Sequence, residues 1–227
     1  MDILQYMKRS DFVIQHVAII ADGNRRWARI NNLPIETGYL QGLTSIENCC
    51  VWAIDRHIKY LTIYCFSTEN WNRPQNEVDQ LMNFARWYFV DKLDWYISLG
   101  IKVSFAGRKD RLPKDLVEKL KKVENNTANG KSLQLNICVD YGGRDEITRA
   151  IAAGARTEKE ISDYLDIKSD PDMIIRTGGD MRLSNFLLWQ SAYSELLFTP
   201  IYFPDLNDSA LDSFISEYDT RKRNFGH

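Results

Sequence analysis

The chain has little that would mark it for an oxidising compartment, a membrane or a nucleic acid. Cysteine is scarce: Cys49, Cys50, Cys65 and Cys138 are the only four in 227 residues. None forms a C-x-x-C pair and none groups with histidine at ligand spacing, which excludes a disulfide framework and a zinc site of the usual kind. Cys49 and Cys50 are adjacent in an apolar stretch, where small buried thiols are expected. No apolar run approaches the roughly 18 residues of a spanning helix. The first ten residues carry nothing like a signal peptide core. Together these absences lead us to expect a reducing, cytoplasmic setting. Excess charge is lacking too. The formal net charge is −2 and the isoelectric point about 6.0, so there is no global basic field and no nucleic acid partner is expected. Any anion site must be a local concentration of positive groups. No P-loop and no G-x-G-x-x-G occurs, which argues against ordinary nucleotide binding.

What is present suits a single α/β domain over 1–227, since 44% hydrophobic content is enough for a full core. Repeats, low-complexity tracts and linkers are absent. Short apolar runs alternate with longer helical patterns. His16–Ala21, Tyr60–Phe66, Ile101–Ala106, Leu133–Val139, Met173–Ile175 and Leu196–Phe203 read as six strands, the last broken by Pro200. Tyr39–Arg56, Glu77–Leu99, Pro113–Val123, Arg144–Ala153, a short run from Thr157, Leu183–Gln190 and a segment from Ser209 read as helices. Such alternation predicts a mainly parallel six-stranded sheet flanked by helices, with ligands beyond the carboxyl ends of the strands.

Polar clusters fall at those ends. Asp22-Gly23-Asn24-Arg25-Arg26 follows the first strand. Gly23 permits a tight turn, and Arg26 offers a fork suited to phosphate oxygens. Asp22 would be repelled by a bare phosphate, but Mg²⁺ would bridge the two. An Asp-Gly turn with solvated arginines is the alternative. After the second strand come Ser67, Thr68, Glu69, Asn70, Trp71, Asn72 and Arg73, more hydrogen-bonding groups than a helix cap requires. After the fifth, Arg176-Thr177-Gly178-Gly179-Asp180 with Arg182, Ser184 and Asn185 makes a second candidate diphosphate cradle, or a glycine turn with surface arginines. Glu195 is a candidate second acid for a metal, or a surface residue. The basic end from Arg221 is either a solvated tail or a closure over a phosphate site.

The strings HVAIIADGNRRWA (16–28), LTIYCFSTENWNRPQNEV (61–78), LNICVDYGGRDEI (135–147), DMIIRTGGDMRLSNFLLWQSAYSELLF (172–198) and RKRNFG (221–226) resemble the cis-prenyltransferase family, the isoprenyl transferases that include undecaprenyl diphosphate synthase. The resemblance spans nearly the whole chain in the family's order. It implies a Mg²⁺-dependent enzyme that joins an allylic diphosphate to isopentenyl diphosphate, with Asp22 and Asn70 catalytic and Asp22 with Glu195 on the metal. Gly23, Asn24, Arg25, Arg26, Tyr39, Ser67, Glu69, Trp71, Arg73, Arg176, Arg182 and Ser184 then bind substrate. It also implies a homodimer, a basic tail that can reach the partner's site, and a peripheral membrane contact through the lipid product.

A hydrophobic tunnel is expected along Cys65, Leu81, Phe84, Ala85 and Tyr88, the last four on one helical face. The bulk of Phe84 and Tyr88 points to a short or medium product, with ordinary aromatic core as the alternative. Two positions depart from the family: Ile35 and Tyr39 stand where members carry an arginine and a histidine. That leaves irregular coupling of allylic diphosphates, or a non-catalytic partner subunit, as alternatives to regular condensation. The stretch 147–171 is also short for the family.

Overall fold

The computed structural model describes residues 14–221, so the basic end beyond Arg221 lies outside it. Six strands form one sheet: β1 (His16–Ile20), β2 (Tyr60–Ser67), β3 (Ile101–Ala106), β4 (Leu133–Tyr141), β5 (Met173–Arg176) and β6 (Glu195–Phe198). Their spatial order is β3-β4-β2-β1-β5-β6, and every pairing is parallel. Between them run α1 (Asn24–Ile30), α2 (Ile35–Asp55), α3 (Gln75–Asp91), α4 (Leu93–Ser98), α5 (Lys114–Thr127), α6 (Gly143–Ala152) and α7 (Glu158–Tyr164), with α8 (Asp208–Thr220) last.

The period-two alternation of β1 divides the interior. Val17 and Ile19 join Trp52, Leu61, Ile63, Phe89, Leu120 and Phe214 on the face covered by α2, α3, α5 and α8. Ala18 and Ile20 turn to the other face, against Tyr64, Cys138, Ile174, Phe186 and Leu187. The chain leaves β1 towards β2 and returns on its other side at β5, so the strand order reverses at β1. A crevice opens where such loops part, and Asp22 lies two residues beyond the end of β1.

Three expected elements differ. Residues 183–190 are irregular, because Ser184, Asn185 and Leu187 have φ of 48°, 65° and 43°. Left-handed residues cannot propagate an α-helix. The irregular path buries Phe186 and Leu187 completely and lets Asn185 Oδ1 accept from Arg144 N at the start of α6. The long helix expected over 77–99 breaks at Lys92 into α3 and α4. The last strand stops at Phe198, two residues before Pro200, whose ring nitrogen has no hydrogen to give a ladder.

Candidate active site

The first strand runs into a sharp turn at Gly23, whose φ of 107° suits glycine, and a Cβ there would lie 2.5 Å from the Tyr202 ring. The turn is pinned from β5. Thr177 Oγ1 accepts from Asp22 N at 2.9 Å and donates to Asp22 O at 2.7 Å. The register Ile20↔Arg176 sets the two loops side by side, so charged groups from both strand ends meet.

Arg176 Nη2 donates to Asp22 Oδ2 at 2.9 Å and lies 3.4 Å from Asp180 Oδ2. Its Nη1 donates to Ser184 Oγ at 2.7 Å and to the Arg182 carbonyl. Arg176 is 5% exposed, and its Nε is buried with no partner. Arg26 Nη2 stands 3.0 Å from Asp22 Oδ1, its Nη1 donates to Gly178 O at 2.6 Å, and its guanidinium lies over the Tyr202 ring. Burial alone would push the Asp22 carboxyl up, but Arg176 and Arg26 outweigh it and hold the group below its ordinary value. Asp22 is therefore ionised at neutral pH. Arg182, 65% exposed at its side chain, pairs with Asp180 Oδ1 at 3.0 Å.

Beyond β2 the chain turns through a 3₁₀ segment, Thr68–Asn72, closed by Ser67 N donating to Asn70 Oδ1 at 3.1 Å. Asn185 Nδ2 donates to Glu69 Oε1 at 2.9 Å, tying this turn to the irregular 183–190 stretch. Arg73 reaches back to Glu77 Oε1 at 3.1 Å, and Arg25 lies 3.5 Å from the other Glu77 oxygen.

Two cavities meet here. One, of about 410 Å³, has Asp22, Gly23, Asn24, Arg25, Arg26, Arg29 and Arg73 at its polar end. Its inner wall is apolar, built by Leu43, Ile46, Leu81, Phe84, Ala85, Phe89 and Phe203 among others. The other, of about 510 Å³, is polar and lined by Ser67, Glu69, Asn70, Arg176, Ser184 and Asn185. Ala21, Asp22, Cys65 and Arg73 belong to both walls. One cavity can take an anion with an apolar tail, the other a second anion, and Asp22 stands between them.

The undecaprenyl diphosphate synthase model of the prenyltransferase family matches residues 20–226. This chain belongs to the cis-prenyltransferase family. It is 44% identical over 220 residues to the isoprenyl transferase of Aquifex pyrophilus, covering 93% of this chain and 95% of that one. The Helicobacter pylori isoprenyl transferase is 38% identical over 229 residues, covering 95% and 98%. Among solved structures, the lavandulyl diphosphate synthase of Lavandula x intermedia in complex with dimethylallyl diphosphate superposes with a TM-score of 0.90 at 33% identity, covering 95% of this chain and 99% of that one. A chain described as an undecaprenyl diphosphate synthase of Campylobacter jejuni gives 0.81 at 30% identity, covering 94% and 99%.

Within this cis-prenyltransferase the expected site residues gather unevenly. Asp22 to Arg26, Ser67, Glu69, Asn70, Arg73, Arg176 and Ser184 line one or both cavities, and Arg182 stands beside them through Asp180. Cys65, Leu81, Phe84 and Ala85 line the apolar wall, but Tyr88 does not. Its hydroxyl donates towards Leu43 O at 2.8 Å and lies 3.1 Å from Glu47 Oε1. One residue further along α3, Phe89 faces the cavity instead. Sequence spacing places a helical face to within about 100° per residue, and here the choice fell one residue short. Trp71 lines neither cavity, because its indole N–H is given to Asp140.

Glu195 is a second correction. It opens β6 opposite Met173, whereas Asp22 lies past the level of Arg176, at least three residues or about 10 Å further along the sheet. Glu195 Oε2 instead accepts from Arg221 Nη1 at 2.7 Å. The two acids cannot ligate one ion within a single chain. The acid that stands beside Asp22 is Asp180, whose carboxylate shares Arg26 and Arg176 with it. Two carboxylates with no third protein ligand fit Mg²⁺, which takes one or two and completes its shell with phosphate oxygens and water. Among the described residues no cluster of three or more acidic, histidine or cysteine ligands occurs. Arg29 was also missed; its spacing of three and four from Arg26 and Arg25 places it on their side of α1. Tyr39 lines the first cavity, yet its hydroxyl donates to Glu77 Oε1 at 2.6 Å and accepts from Arg73 at 3.2 Å. Burial and the Glu77 acceptor raise its pKa well above the ordinary phenol value, so it stays a neutral phenol.

Proposed function

We propose that the chain condenses an allylic diphosphate with isopentenyl diphosphate in a Mg²⁺-dependent reaction, giving a cis-polyprenyl diphosphate of short or medium length. The observation that carries this reading is the pair of anion-suited cavities that share Asp22, one of them apolar at its far end.

Arg25, Arg26, Arg29 and Arg73 hold the allylic diphosphate at the mouth of the first cavity, and Leu81, Phe84, Ala85 and Phe89 surround its hydrocarbon. Arg176, Ser184 and the exposed Arg182 hold the second diphosphate. Ser67 and Asn70 flank the shared wall where the reacting carbons meet. As the allylic C–O bond breaks, its electron pair leaves with the diphosphate, and the arginines stabilise that charge. Asp22, with Asp180 beside it, would hold Mg²⁺, and that ion would supply Lewis-acid neutralisation of the same leaving group. The isopentenyl alkene supplies two electrons to the new C–C bond. A proton then leaves the adjacent carbon, restoring a double bond, with the released diphosphate as its acceptor. The apolar wall keeps water from the cationic carbon, and fixed placement of both diphosphates supplies the orientation.

Homodimerisation, a cytoplasmic location and a peripheral membrane contact through the product belong to the same proposal. Among the described residues no helix is long and apolar enough to cross a membrane. The test is mass spectrometry of products from purified protein given a panel of allylic diphosphates with isopentenyl diphosphate and Mg²⁺. Elongation of at least one donor is expected, and no product from any donor overturns the proposal.

A second reading is irregular coupling of allylic diphosphates. It is favoured by Ile35, by the engagement of the Tyr39 hydroxyl with Glu77 and Arg73, and by the close superposition on a synthase that holds dimethylallyl diphosphate. Dimethylallyl diphosphate supplied alone separates the two: a C10 product selects irregular coupling. Turnover by the purified chain also dismisses a purely non-catalytic subunit.

A further inference from the structure

Asp140 is a charged side chain with no exposed surface, and it lies outside both cavities. Its Oδ1 accepts from the indole N–H of Trp71 at 2.9 Å, its Oδ2 accepts from Arg111 Nε at 3.0 Å, and Arg111 Nη2 closes a second bond to Oδ1. Arg111 also lies over the Trp71 ring, 5.7 Å from its centroid. Phe66 meets the same indole edge-on at 5.2 Å. The tryptophan is thus gripped by its N–H, one face and one edge. Trp71 comes from the turn after β2, Arg111 from the loop after β3 and Asp140 from the end of β4, three neighbours in the sheet.

Two features say that this grip sets geometry. An ion pair with one member fully buried, as Asp140 is here against a 35% exposed Arg111, is a poor source of net stability, because desolvation offsets the attraction, but it fixes the relative placement of its members. Asp140 also has φ of 51°, a left-handed conformation that a non-glycine residue keeps only where its surroundings over-determine it. What the grip would place is next in the chain. Trp71 follows Asn70, whose Oδ1 closes the turn on Ser67 N, and both Ser67 and Asn70 line the polar cavity.

We infer that Asp140 and Arg111 are positioning residues that clamp Trp71 and so hold Ser67 and Asn70 in place on the wall of the polar cavity. The clamp rests on geometry alone; its effect on turnover rests on the condensation proposed above. The two are separated by pairing kinetics with hydrogen exchange on the full chain. Asp140→Ala and Trp71→Phe are expected to raise amide exchange across residues 67–73 about tenfold while exchange in β1 and in β4 before Cys138 stays unchanged, as for a local opening. Both are expected to lower kcat about tenfold or more, with KM for the allylic substrate within about twofold. Asp140→Asn, which keeps an acceptor for the indole, is expected to recover part of the loss. The double variant Trp71→Phe/Asp140→Ala is expected to be no worse than Asp140→Ala, because both remove one interaction. Should Asp140→Ala fail to fold, Trp71→Phe carries the same comparison with its ring retained. Unchanged exchange across 67–73, or additive losses in the double variant, overturns the clamp. Altered exchange in a protein with no prenyl transfer upholds the clamp and sinks the condensation instead.

Discussion

Arg176 Nη2 donates to Asp22 Oδ2 across 2.9 Å, joining the ends of two adjacent parallel strands in the crevice where the sheet order reverses. Asp22 is the acid shared by the two cavities, and its carboxylate is ionised by this pairing and by Arg26. Asp22→Ala is therefore expected to lower Mg²⁺-dependent kcat by about 10²-fold or more, the scale for losing a group that acts on developing charge. Circular dichroism should show the fold retained, since Asp22 is partly exposed and its arginines keep Asp180. Near-normal turnover in Asp22→Ala would remove it from the mechanism.

Chelation separates catalytic from structural metal. With two carboxylates and no larger ligand cluster among the described residues, a Mg²⁺ ion held there would contribute little to folding. Excess EDTA is expected to abolish turnover and restore it on adding Mg²⁺, with the melting temperature moved by less than about 2 °C. A large fall in melting temperature would mean a structural ion.

Arg182 tests the second cradle with little cost to the fold. Its side chain is 65% exposed and pairs only with Asp180 among the bonds seen. Exposed pairs contribute about 0–1 kcal/mol, so Arg182→Ala should leave urea stability nearly unchanged. KM for isopentenyl diphosphate is expected to rise about tenfold or more, while KM for the allylic partner holds. Equal rises for both substrates would place Arg182 outside a dedicated cradle.

Product length should answer to Phe89 and Phe84, which face the apolar wall, and not to Tyr88. Phe89→Leu is expected to shift the product distribution upward by at least one isoprene unit. Tyr88→Ala should leave product length alone and destabilise the protein by about 3–5 kcal/mol, the range for removing a large buried aromatic ring. Longer products from Tyr88→Ala would restore it to the wall.

The pH dependence of stability should carry the mark of His16. The ring is 1% exposed, between Thr62 Oγ1 at 2.7 Å and Ser169 Oγ at 3.1 Å, and burial lowers its pKa to about 4. The unfolded chain, with an ordinary histidine value near 6.5, binds the proton first as pH falls. Stability from the neutral ring is full above that value and declines between about pH 6.5 and 4, by on the order of 3 kcal/mol. Urea midpoints measured across this window should fall more steeply for the wild type than for His16→Gln. Parallel slopes would dismiss the assignment.

The sequence by itself determined the parallel sheet, because six short apolar runs and the helical patterns between them have different periods. It also marked the three polar clusters beyond β1, β2 and β5, since chemistry-bearing residues have no reason to crowd a strand end unless a ligand waits there. Only the tertiary structure decided which acid stands with Asp22. Asp180 and Glu195 follow Arg176 at intervals of four and nineteen residues, but sheet register sends one to the carboxyl end and the other to the amino end. The same holds for Tyr88 against Phe89, where a rotation of one residue about α3 decides between core and cavity. Residues 183–190 read as a helix because spacing records which side chains are apolar and not which backbones are left-handed. Asp140 carried no signal at all, since its role exists only where the end of β4 and the segments after β2 and β3, distant in sequence, converge at one indole ring.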